Sequence, residues 1–110
     1  MIVVSYTFTL PKPVTREEAH SMFLSSAPKY RGVKGLIRKH YIVSQDGTTA
    51  GGVYIWNSRA EAEALYTESW HAFVREKYGA DPAVAYFENP VVVDNVAQQI
   101  LADGQVVAGE

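Results

Sequence analysis

Apolar and polar residues alternate without a break from Ile2 to Leu10. Ile2, Val4, Tyr6, Phe8 and Leu10 share one face, and Val3, Ser5, Thr7 and Thr9 share the other. Period two with β-branched and aromatic side chains predicts a strand. Pro11-Lys12-Pro13 ends it, because proline donates nothing to a ladder. The period then changes. Thr15-Arg16-Glu17-Glu18 is a capping box, and Ala19, Met22, Phe23 and Ala27 follow at helical spacing up to Pro28. Lys29 to Gly35 reads as loop. Leu36 to Ser44 reads as a second strand, and Ala50 to Trp56 as a third. Gln45-Asp46-Gly47-Thr48 between them is a hairpin turn, since Asp-Gly supplies the positive φ that such turns need. Gly51-Gly52 allows a bulge or a close backbone approach.

Ser58-Arg59-Ala60-Glu61 is a second capping box, opening a helix through Leu65 and Tyr66. Thr67-Glu68-Ser69 interrupts it. A helical stretch from Trp70 to Tyr78 follows, with Trp70, Phe73, Val74 and Lys77 on one side and Gly79 as its stop. Ala83 to Phe87 is a fourth strand. Asn89-Pro90 breaks it, and Val91 to Val93 is expected to extend it on an edge. In the tail, Val96, Ile100 and Leu101 are expected to form one helical turn, and Gln105 to Ala108 a stray strand. The order β-α-β-β-α-β predicts an α+β, ferredoxin-like plait with antiparallel strand order 4-1-3-2 and the helices on one face. Residues 1–95 would form this domain and 96–110 a tail.

Two helices cover only one face of a sheet. On the second strand the period places Leu36, Arg38, His40 and Ile42 on one side, and Ile37, Tyr41 and Val43 on the other. On the third, Tyr54 and Trp56 oppose Val53 and Ile55. Both faces therefore carry apolar groups. An exposed apolar sheet face marks an interface, so the expectation is a homodimer with sheets packed face to face and the tail reaching onto the partner subunit. The competing arrangement folds the tail back over its own sheet.

Composition narrows the function classes. The chain has 110 residues, one domain by length. It contains no cysteine, which excludes disulfides, thiolate metal sites and a cysteine nucleophile. Ten basic and twelve acidic residues give a formal charge of -2, with no basic excess to draw nucleic acid. No apolar run approaches the ~20 residues that cross a bilayer. Met1 to Tyr6 carries no basic leader, so no membrane partner and a cytoplasmic location are expected.

Among residues that could carry chemistry, His71 sits beside the apolar Trp70, and a histidine's usual pKa of ~6.5 suits proton transfer. It reads equally as a half-exposed helix histidine. Arg38 and His40 point to one side of the second strand and could hold an enolate or phenolate oxygen, or be simply solvated. Tyr6, Tyr54, Trp56, Trp70 and Tyr86 could line a flat cavity for an aromatic ligand, or serve as core and dimer seam. The three histidines make no i, i+4 pair, so no metal is indicated. Gly51-Gly52 lacks phosphate-loop or dinucleotide spacing, and no bound cofactor is indicated.

The stretch Ala50-Gly51-Gly52-Val53-Tyr54-Ile55-Trp56 with its Ser58-Arg59-Ala60-Glu61 helix start, and Val84-Ala85-Tyr86-Phe87-Glu88-Asn89-Pro90, resemble the dimeric α/β-barrel superfamily, and within it the YdhR-like mono-oxygenases. The resemblance covers residues 2–95. It implies a dimer of ferredoxin-like sheets and a cofactor-free mono-oxygenase acting on a phenol, quinol or anthrone-like compound. The superfamily also holds haem-degrading enzymes, which use an Asn on the first strand. This chain has Tyr6, Thr7 and Phe8 there, which argues against that branch. Oxygen-independent cyclases or isomerases and non-catalytic ligand-binding dimers are the alternatives, since fold alone does not set activity.

Overall fold

The computed structural model describes residues 1–79 and 81–109. The first strand, β1 (Ile2–Thr9), pairs along its length with β3 (Thr49–Trp56), and on its other side with β4 (Ala83–Glu88). The strand β2 (Leu36–Val43) borders β3. All pairs are antiparallel and the order is β2-β3-β1-β4, the 4-1-3-2 plait that the element order predicts. One face is covered by α1 (Arg16–Ser26) with its 3₁₀ extension Ala27–Tyr30, α2 (Arg59–Leu65) and α3 (Glu68–Tyr78). No helix among the described residues is long and apolar enough to cross a membrane.

Local chemistry sets the element ends. The Thr15 hydroxyl accepts from the Glu18 amide at 3.1 Å, and the Glu18 carboxylate accepts from the Thr15 amide at 2.9 Å, closing the box at α1. At α2 only half of the expected box forms. Ser58 Oγ accepts from the Glu61 amide, while the Glu61 carboxylate takes the Ser58 hydroxyl at 3.0 Å instead of a backbone N–H. Thr67 caps α3, which therefore starts two residues before the expected Trp70. In the β2–β3 turn, the Asp46 carboxylate accepts from the Ser44 and Thr48 hydroxyls, both at 2.7 Å, and these bonds hold its pKa down at about 2.

The inward residues of β1, namely Ile2, Val4, Tyr6 and Phe8, meet Ala50, Tyr54, Trp56, Ala62, Tyr66, Trp70 and Val74 in one core. Trp56 is fully buried, and its indole N–H donates to the Tyr66 hydroxyl at 3.1 Å. Gly51 permits the close approach of β3 to β1, because a Cβ there would run into the Tyr6 carbonyl and Thr7 Cα. The bulge lies elsewhere, between Leu36 and Arg38 on β2. It inserts Ile37 and reverses the phase. Leu36 thereby joins Lys39, Tyr41 and Val43 opposite Trp56, Tyr54, Gly52 and Ala50, and not the Arg38, His40, Ile42 face on which strict alternation places it.

The tail departs from the sequence reading. Val91 to Val93 does not lengthen β4. Instead β5 (Val91–Asp94), β6 (Gln99–Ala102) and β7 (Gln105–Gly109) form a separate three-stranded antiparallel sheet. Ile100 and Leu101 are extended in β6, not helical. Asp103 and Gly104 both take positive φ, 47° and 81°, as a two-residue hairpin of the primed type requires. This meander lengthens the molecule to 45 × 29 × 23 Å and raises the radius of gyration to 15.3 Å, against roughly 13 Å for a compact domain of this length.

Candidate functional site

A pocket opens between the covered sheet face, α1, the 3₁₀ turn and α3. Strand β1 supplies Tyr6 and Phe8, β2 supplies Lys39 and Tyr41, and β3 supplies Gly52 and Tyr54. Phe23, Ser26 and Tyr30 close one side, and Trp70, Phe73, Lys77 and Tyr78 the other. No acidic side chain is among these residues. The space bounded by the lining and the mouth is about 400 Å³, of which about 30 Å³ is free of side chains to a water-sized body, room for one or two waters. Anything larger enters by moving the mouth, where Phe73 is exposed and the Lys29 ammonium sits 3.8 Å from its ring centroid.

Lys39 is the centre of this pocket. Its Nζ lies 3.5 Å from the Tyr30 ring centroid, 3.9 Å from that of Tyr41 and 4.6 Å from that of Tyr54. Gly52 makes the room: a Cβ there would sit 3.0 Å from Lys39 Cε. Burial, reinforced by the charges of Lys29 and Lys77, lowers the Lys39 pKa from 10.5 to about 7. Near neutral pH the amine is therefore present both as a base and as a cation. The phenols move the other way. Burial pushes Tyr41 up to about 12 and raises Tyr6, Tyr30 and Tyr54 as well, so they act as neutral hydroxyls. Ser26 Oγ and the Tyr41 hydroxyl are 2.7 Å apart, and the Trp70 indole N–H donates to the Tyr30 hydroxyl at 3.3 Å.

The residues singled out from the sequence fall into four places. Tyr6, Tyr54 and Trp70 line the pocket. His71 lies just behind it: Nδ1 is 3.1 Å from the Tyr6 hydroxyl and the rings stack at 5.7 Å, the hydrogen bond's direction being set by the imidazole tautomer. Trp56 sits in the core below Tyr54 and Tyr66, and Tyr86 packs between Tyr66 and the Arg59 guanidinium, 4.4 Å from the Tyr86 ring centroid. Arg38 and His40 stand on the opposite face of the sheet, exposed, bordering a cleft that the meander closes with Val92, Asp94 and Leu101. The sequence reading missed Lys39, Tyr30 and Tyr41. The phase of β2 carries a signal for two of them, since Lys39 and Tyr41 alternate inward with Val43.

A family model described as "Putative mono-oxygenase ydhR" matches residues 2–88. No curated protein matches the sequence. Among solved structures, a monooxygenase from the gene ActVA-Orf6 of Streptomyces coelicolor, in complex with the ligand nanaomycin D, is 20% identical with a TM-score of 0.61, over 80% of this chain and 86% of that one. A structure described as a "putative antibiotic biosynthesis monooxygenase" from Deinococcus radiodurans is 11% identical with a TM-score of 0.63, over 86% and 97%. A mutant form of SnoaB, a cofactor-independent oxygenase from Streptomyces nogalater, is 15% identical with a TM-score of 0.61, over 86% and 97%. At these identities the likeness is one of fold.

Proposed function

The chain belongs to the ydhR mono-oxygenase family, and on that premise we propose that it oxygenates a small aromatic compound, a phenol, quinol or anthrone-like molecule, without metal or flavin. The observation that carries this reading is the aromatic pocket holding a half-buried amine and no carboxylate. A flat hydroxylated ring would stack among Tyr6, Tyr54 and Trp70. Neutral Lys39 would take the phenolic or enolic proton and, once charged, hold the anion. Loss of that proton makes the ring electron-rich enough to pass an electron to oxygen. Tyr6 and His71 offer the proton a route out of the pocket. Arg38 and His40, on the other face, would then act in the second cleft or at the subunit seam.

The test is oxygen uptake by the purified protein with anthrones, naphthols and hydroquinones and no added cofactor. His71→Ala and Trp70→Ala are each expected to slow it at least roughly tenfold. Uptake no greater than that of heat-denatured protein across the panel would remove the reading. Turnover that persists under argon would assign the pocket to the oxygen-independent alternative, acid–base work on an enolisable substrate.

The working unit in this proposal is a cytoplasmic homodimer. Val53, Ile55, Ile42 and Phe87 lie on the helix-free face, and Ile42 and Phe87 are exposed. Val91, Val93, Val96, Val106 and Val107 of the meander are exposed too, and a small sheet is stable in water only with a covered apolar face. Packing two sheets face to face and laying residues 96–110 on the partner would cover both surfaces. Removing residues 96–110 should weaken the dimer, and a dimer of unchanged dissociation constant would exclude that role.

A further inference from the structure

We propose that Lys39 is also a carbonyl-trapping residue, condensing with an aldehyde or ketone on a flat apolar skeleton to form an imine inside the pocket. The geometry is that of an enclosed amine nucleophile. Its ring contacts with Tyr30, Tyr41 and Tyr54 fix Nζ in the pocket, and no carboxylate of the described residues pairs with it. The groups facing it are Lys29 and Tyr30 from the 3₁₀ turn, Ser26 from α1, Tyr41 from its own strand, Tyr54 from β3, and Lys77 and Tyr78 from α3. Every charged member of that set is a cation, which disfavours an ammonium at Lys39 and leaves a free amine to attack.

The reaction balances with no external oxidant or reductant. The nitrogen lone pair of Lys39 adds to the carbonyl carbon, and the C–O π pair moves to oxygen, which takes a proton. The carbinolamine then loses its hydroxyl as water, the nitrogen loses its protons, and C=N replaces C=O. The net change is amine plus carbonyl to imine plus water. Tyr30, Tyr41 and Ser26 are hydroxyl donors in the same pocket for the departing oxygen. By contrast Lys12, Lys29, Lys34 and Lys77 are exposed to solvent.

This activity needs no oxygen and stands apart from the oxygenase reading. The test incubates the full chain under argon with benzaldehyde, and separately with propanal, each with sodium cyanoborohydride to reduce any imine, and maps the adducts by peptide mass spectrometry. At pH ~7 Lys39 is expected to carry at least roughly tenfold more adduct than each of Lys12, Lys29, Lys34 and Lys77, with the advantage fading by pH ~10.5, where every lysine is substantially neutral. Lys39→Arg keeps a cation but cannot condense, and should lose the selective adduct while retaining the native circular dichroism spectrum. Adduct shared evenly among the lysines, or a spared Lys39, would overturn the proposal.

Discussion

Replacing Lys39 with methionine is expected to stabilise the fold in mild acid and to lose that benefit as the pH rises. Lysine in the unfolded chain titrates at its usual value, whereas burial in the folded protein brings Lys39 to about 7. Carrying the ammonium below pH ~7 therefore costs the folded state up to about 5 kcal/mol. That difference covers every interaction that separates the ammonium from the neutral amine, the contacts with the three rings included. Between pH ~7 and ~10.5 the unfolded chain binds a proton that the folded chain lacks, so stability rises with pH across that window and is flat below it. Methionine has nearly the same length, no charge and a thioether that packs well on rings. Lys39→Met should then gain up to about 5 kcal/mol at pH ~6, or up to about 20 °C in Tm from an unfolding entropy of ~2.1 cal/mol/K per residue. The gain should be largely gone near pH ~10. Urea denaturation of both proteins at fixed concentration and two pH values measures it. A variant less stable than the parent at pH ~6, or a difference that ignores pH, would refute the argument. In the oxygenase reading the same substitution removes activity as it adds stability, the trade expected where a functional group is kept at the expense of the fold.

Three further outcomes are expected. Tyr66→Phe leaves the fully buried Trp56 indole N–H without its acceptor and should cost about 1–3 kcal/mol in chemical denaturation. Gly51→Ala sets a methyl into the β1 backbone and should abolish the cooperative thermal transition; a normal melt would mean that β1 and β3 can separate at that point. Ile55→Asp places a charge on the helix-free face and should turn the proposed dimer into a monomer by light scattering at micromolar concentration, with the far-UV spectrum unchanged.

The legible parts of this chain are those decided within a few residues. Alternation from Ile2 to Leu10, the caps at Thr15 and Ser58, the Asp46-Gly47 turn and the Gly79 stop each carry their own chemistry, and together they order the plait. The β2 bulge is different. An extra residue at Ile37 answers to pairing with β3, and no Gly or Pro at that position announces it. Strict alternation therefore puts Leu36 on the wrong face. The meander carries a signal that competes with another. Asp103-Gly104 repeats the hairpin signal of Asp46-Gly47, but Val96, Ile100 and Leu101 also fit a helical spacing, and over so short a run the period is ambiguous. Lys39 is hidden by its charge. Its phase places it with Tyr41 and Val43, yet lysine is among the residue types least expected inside.

The bulge at Ile37 also decides what each face of the sheet presents. With the phase reversed after Leu36, one strand offers Lys39 and Tyr41 to the helices and Arg38, His40 and Ile42 to the far side. The covered face gains an amine enclosed by three phenol rings. The open face gains a guanidinium and an imidazole amid Val53, Ile55 and Phe87. A regular strand of the same length could not put Leu36 opposite Trp56 and Lys39 opposite Tyr54 at once, because residues three apart in a strand point to opposite faces. Deleting Ile37 removes that conflict. Leu36 and Lys39 then stand two apart, the spacing of a regular strand, and both keep their present partners on β3. The deleted side chain is itself exposed, so little packing is lost with it. The shortened protein is therefore expected to keep the pocket, and with it both the pH-dependent stability of Lys39 and its selective labelling. Moving the extra residue instead, by inserting an alanine between Lys39 and His40 of the shortened chain, restores the length but leaves Lys39 and Tyr41 three apart and on opposite faces. That variant should lose one or the other from the pocket. Loss of the Lys39 signature in the simple deletion would show that the bulge positions the amine by its local kink and not by its phase.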